Sequence, residues 1–89
     1  MAITDQAEET LIARHIDLQT DDRGPAYARL AEYGTPIWAL IGLWQAANGD
    51  TERVAKAYDA SMEAVHAALA YYWRNKAVVD ALILLNNAE

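Results

Sequence analysis

One stretch governs what this chain can become. Residues 36–44 read Pro-Ile-Trp-Ala-Leu-Ile-Gly-Leu-Trp, without a polar side chain among them. Pro36 suits the first turn of a helix, where its missing N–H costs nothing, and Thr35 is placed to cap it. A helix apolar on nearly every side must be covered on nearly every side. Either it sits at the centre of the chain's own core, or a second subunit covers its other face, with Trp38 and Trp44 as interface candidates. Gly49, following Asn48, suits the left-handed residue that ends such a helix.

The chain is short for that demand. Its 89 residues make one domain, because two cores would each be too small to fold unaided. Of the 54% that are hydrophobic, 19 are Ala, which leaves 29 large apolar or aromatic side chains. That is a thin core, so added burial through self-association is expected. With no Cys, a disulfide scaffold, thiol chemistry and Cys-based zinc sites are excluded.

The net charge of −6 is unevenly spread. Residues 1–22 hold six of the thirteen acids and one of the seven bases, a net of −5, while residues 23–89 are near neutral. A strong nonspecific nucleic-acid binder carries the opposite footprint. The acidic N-terminus has no apolar leader segment, and residues 36–44 fall far short of the ~20 needed to span a bilayer. A cytoplasmic protein without membrane partners is expected.

Residues 1–14 read as an acidic N-terminal segment with a short helix over residues 5–14. Asp5 caps it, Glu8 takes the third helical position, and Ala7, Leu11 and the stem of Arg14 form the inner stripe. Residues 15–89 read as the domain proper. His15-Ile16-Asp17-Leu18-Gln19 alternates polar and apolar, a strand signal. Residues 20–25 are a turn by composition, and residues 26–30 a weaker second strand. The two predict a small antiparallel ribbon that needs helices beneath it.

The most specific spacing follows. Asp50 or Thr51 caps a helix to residue 58, and Ser61 caps a longer one to about residue 73. A helix-turn-helix motif wants a small residue where its helices cross, a turn residue four later, and an apolar residue six after that. Ala55, Asp59 and Val65 stand at those places. Val54, Tyr58, Ala60 and Ala68 take the inward positions. Asp59 tolerates the left-handed turn better than most residues other than Gly. A last helix over residues 75–87 carries Val78, Val79, Leu82, Ile83 and Leu85 in at least two directions, with Ala81 and Leu84 extending the apolar surface. A terminal helix buries one face in its own monomer, so the other predicts a homodimer contact. Asp80, interrupting that run, is expected to cap, or to pair with a base such as Arg74 across the dimer.

Taken together, these residues resemble a small bacterial family known only as a domain of unknown function, number 433 in that series. The likeness spans Ile12 to about Asn86. It rests on Arg14-His15-Ile16, Gly24-Pro25, Ala28-Arg29-Leu30, Gly34-Thr35, and Glu52-Arg53-Val54-Ala55 with Tyr58. Val65-His66-Ala67-Ala68-Leu69-Ala70-Tyr71-Tyr72, with Asn75 and Val79-Asp80, matches best. The resemblance implies a mainly α fold: a helix-turn-helix domain, winged-helix-like, with a short N-terminal β-ribbon and a C-terminal dimerisation helix. It also implies a VapB-type, antitoxin-like regulator that neutralises a PIN-type toxin and binds its own promoter. Many members continue Gly-Thr with Arg; here Pro36 follows, and any role of that Arg does not carry over.

Direct readout of bases favours Arg, Lys, Asn or Gln near the start of the recognition helix. The outward positions here are Ser61, Met62, Glu63, His66 and Ala67, and none of those types is among them. Candidate DNA contacts are Arg53, Lys56, Ser61, His66, Arg74 and Lys76. A protein-interaction module with this fold that never reads DNA is the alternative. Nothing suggests an enzyme. His15 and His66 lack a constellation, and no phosphate-cradling loop, nucleophile elbow or metal-ligand spacing appears. No cofactor, metal or small-molecule substrate is expected.

Overall fold

The computed structural model describes residues 2–17 and 24–87. It contains five helices and a two-stranded antiparallel sheet among them. The apolar stretch is helix α2 (Ile37–Ala46), and it lies centrally. It packs against α3 (Thr51–Tyr58), α4 (Met62–Arg74) and α5 (Lys76–Asn87). Ile37, Leu40 and Ile41, at helical spacing, are wholly buried together with Val54, Val65 and Val79. The helix is not buried all round: Trp38, Leu43 and Trp44 stay half-buried at the edge of the core.

The entry to α2 differs from the sequence expectation. Pro36, not Thr35, is the capping position, with extended ψ of 134° and no side-chain cap. The cause is pairing. Leu30 N–H donates to the Thr35 carbonyl at 2.8 Å, Ile37 N–H donates to Ala28 at 2.9 Å, and Arg29 bridges Pro36. This segment is held extended beside the sheet, so the helix begins only after it. At the other end Asn48 and Gly49 are both left-handed, and Gly49 N–H reaches the Trp44 carbonyl at 2.8 Å.

The ribbon is shorter than the alternation predicts. β1 (Ile16–Asp17) pairs with β2 (Arg29–Leu30), Ile16 opposite Leu30 on the buried side. His15 belongs to the preceding helix. Ala26 and Tyr27 lie in a 3-10 turn over Pro25–Tyr27, since Gly24 at φ 106° followed by Pro25 starts a turn rather than a strand. Leu18 and Gln19 of the expected first strand, and residues 20–23 of the expected turn, lie outside the described residues.

Helix α1 (Ala2–His15) starts earlier than expected and contains Asp5 rather than being capped by it. Its buried residue is Ile12, with Leu11 half-buried; Ala7 and Arg14 are exposed. Its broadest contact is with α4.

Both helix starts that flank the turn follow capping chemistry. The Asp50 carboxylate accepts from Arg53 N–H at 3.1 Å, and Ser61 Oγ accepts from Ala64 N–H at 3.0 Å. Between them Asp59 is left-handed (φ 53°), which lets Ala60 N–H close on the Ala55 carbonyl at 2.9 Å. Gly adopts that conformation at less cost, so Asp59→Gly is expected to stabilise by about 0.5 kcal/mol. That is a rise of about 2–4 °C in a thermal melt. A fall in Tm would show that the carboxylate itself supports the turn. Among the described residues no helix is long and apolar enough to cross a membrane.

Candidate functional site

Helix α4 presents a mixed surface. Ser61, Met62, Glu63 and His66 are exposed at its N-terminal end, as the outward positions should be. Ala67 is fully buried, against expectation. The reason is α1, which runs antiparallel along this flank. At one end Glu8 meets Arg74; at the other Arg14 and His15 line one concavity with Ser61 and Ala64. Between these ends the small side chains of Ala67 and Ala70 are buried and let the helices approach.

The six candidate DNA contacts do not form one patch. Arg53 and Lys56 are exposed on α3 and share an open concavity with Met62 and with Asp50, Glu52 and Asp59, whose charges oppose theirs. Ser61 and His66 are nearby on α4, with Ser61 occupied as a cap. Arg74 and Lys76 lie at the far end of α4, about 20 Å along its axis. Both are in ion pairs: Arg74 with Glu8 at 3.2 Å and Glu9 at 3.8 Å, and Lys76 with Asp80 at 2.8 Å.

Within one chain the base that Asp80 pairs with is Lys76. The Asp80 Oδ1 accepts from the Tyr72 hydroxyl at 2.7 Å and, at 3.5 Å, from Gln45, which also donates to the Tyr72 oxygen at 3.2 Å. The hydrogen bonds from Lys76 and Tyr72 hold the Asp80 carboxyl below the usual carboxylate range. Burial, then the Asp80 carboxylate, pushes the Tyr72 phenol up. The hydrogen bond to Asp80 raises the exposed Lys76 ammonium. A depressed carboxyl stabilises the fold above its unfolded value of about 3.9 and loses that contribution as pH falls through its folded value. The stability lead of the parent over Asp80→Asn is thus expected at pH 6 and should shrink at pH 3. Melts of both proteins at the two pH values check it; an unchanged lead would assign Asp80 a role independent of charge.

The expected interface residues divide. Val79 is wholly buried, and Leu82 and Ile83 nearly so, inside the single chain, because this side of α5 packs on α2 and the 3-10 turn. They belong to the core. Val78 and Leu85 do face water, and so does Leu84, which sequence spacing treats only as an extension. With Ala77 and Ala81 they make an exposed apolar face on α5, bordered by the Lys76–Asp80 pair, at exposures of 70% for Leu84 and 69% for Leu85. Trp38 and Trp44 are half-buried. Trp44 and Tyr72 meet edge to face at 6.5 Å, and the exposed Trp73 lies over Tyr72 at 5.0 Å. No short-range signal in the sequence marks that cluster.

His66 is exposed. His15 is half-buried, and its Nε2 is buried without a hydrogen-bond partner. Among the described residues no group of three or more His, Cys, Asp or Glu side chains is placed to hold a metal ion. Compared with known proteins, the chain matches no family model, no curated protein and no solved structure.

Proposed function

We propose that this chain is a homodimeric helix-turn-helix module, winged-helix-like and acting in the cytoplasm, whose working contacts are with protein. The apolar solvent side of α5 carries the reading: Ala77, Val78, Ala81, Leu84 and Leu85 include no charge, so two copies can meet there without burying one. Exposed aromatic and aliphatic side chains of this kind are the material of protein interfaces. The α4 residues that face water offer no bidentate partner for a base, and Arg74 and Lys76 are held by acids of the same chain.

A second reading is the antitoxin-like regulator, which would neutralise a toxin of the PIN type and bind its own promoter. The left-handed Asp59 between two capped helices favours it, as do Arg53 and Lys56 in the open beside that turn. The resemblance to the domain-of-unknown-function family supplies the rest.

Two measurements on the purified protein test the shared dimer and then separate the readings. Sedimentation over a wide concentration range is expected to show a reversible monomer–dimer equilibrium; a monomer throughout would sink the homodimer. Fluorescence anisotropy against the chain's own upstream DNA and a scrambled duplex, at ~50 and ~200 mM salt, tests the regulator. Preference for the upstream duplex at both salts would establish DNA reading. Binding only at low salt and without preference would be generic phosphate contact, and would leave the protein-contact reading in front.

A further inference from the structure

We propose that α1 is a charge-clamped cover that keeps α4 out of the DNA major groove, so that DNA reading requires α1 to lift. This rests on the second, regulator reading. The major groove is about 12 Å wide and admits one helix. Two packed helices have axes 8–10 Å apart, and each is about 10 Å across, so the α1–α4 pair is about 20 Å wide. With α1 lying antiparallel along the buried Ala67–Ala70 flank, α4 cannot enter as a recognition helix does.

Charge acts in the same direction. The cover brings Glu8 and Glu9 to the side of α4 that a groove wall of phosphates would approach. It also engages Arg74, the one Lys or Arg of α4, through both carboxylates. The hold is light. Among residues 6–15, α1 buries only Ile12. A helix of this length is marginal by itself, and exposed ion pairs contribute little each. The cover is therefore poised for release by whatever competes for Arg74 or for the α4 flank. The two functional readings become two positions of α1: lowered, with protein contacts only, and lifted, with α4 available.

The test compares DNA binding by the full chain, by Glu8→Gln/Glu9→Gln, and by Asp17→Asn/Glu32→Gln, which removes the same charge away from Arg74. All four acids are wholly or partly exposed, and circular dichroism confirms an unchanged helix content before binding is measured. Anisotropy against the upstream duplex at ~50 mM salt is expected to show Glu8→Gln/Glu9→Gln binding about threefold to tenfold tighter than the parent, and clearly tighter than the control double variant. Equal tightening by both double variants would overturn the clamp and leave only a net-charge effect. Parent binding as tight as that of Glu8→Gln/Glu9→Gln would overturn the clamp while leaving the regulator standing. No binding by any of the three would overturn both.

Discussion

Leu82→Asp is expected to take away much or all of the domain's stability. Leu82 is 7% exposed and sits on the inner side of α5, next to the fully buried Val79. An Asp there replaces an apolar contact with a desolvated, unpaired carboxylate, a change that costs at least about 4 kcal/mol. A domain of this size is stable by roughly 4–13 kcal/mol in total. The melting temperature should fall by about 15–30 °C, or the protein should be unfolded at room temperature. Thermal melts followed by circular dichroism measure this. A variant that melts like the parent would mean that α5 does not pack on α2 through this side.

Leu85→Asp, three residues on, should do something different in kind. Leu85 is 69% exposed, so the monomer loses little when it becomes polar. In the proposed homodimer the same carboxylate would be buried in a dry contact, and each copy brings one. The monomer–dimer equilibrium is expected to shift by a hundredfold or more toward monomer, on the order of 3 kcal/mol, with an almost unchanged melt at low concentration. Sedimentation equilibrium reads the shift. An unaltered dimer would remove α5 from the interface and turn attention to the Trp38–Trp44 edge.

The contrast between these two leucines marks where sequence reasoning stops. Val78, Val79, Leu82, Ile83, Leu84 and Leu85 are all apolar, so nothing in their types tells the inner side of α5 from the outer. Only the tertiary partner decides. Caps are legible for the opposite reason: Asp50, Asp59 and Ser61 act on backbone groups three to five residues away, and that distance is written in the chain. The Lys76–Asp80 pair was equally readable, at four residues on one helix. Helix α1 was the hardest element. Its apolar and polar residues are so evenly mixed that Ala7 and Leu11 look as good an inner stripe as Ile12, and the choice falls to the shape of the α4 flank. Pro36 failed as a first helical residue because the sheet beside it competes for the same backbone, a contact no local pattern contains. Of the candidate site, the exposed bases of α3 were legible; the Glu8 and Glu9 carboxylates that occupy Arg74 were not.

The antiparallel seating of α1 on α4 also fixes an order of events during synthesis. Glu8 is joined to Arg74 across 66 residues of chain. A ribosome adding about 5–20 residues per second needs roughly 3–13 s to make that stretch. For that interval the acidic helix has no surface to rest on, and by itself it is too short to hold its turns. Helix α1 is thus placed only after α4 has been made, and a nascent chain spends seconds with this acidic helix available to anything basic that is near.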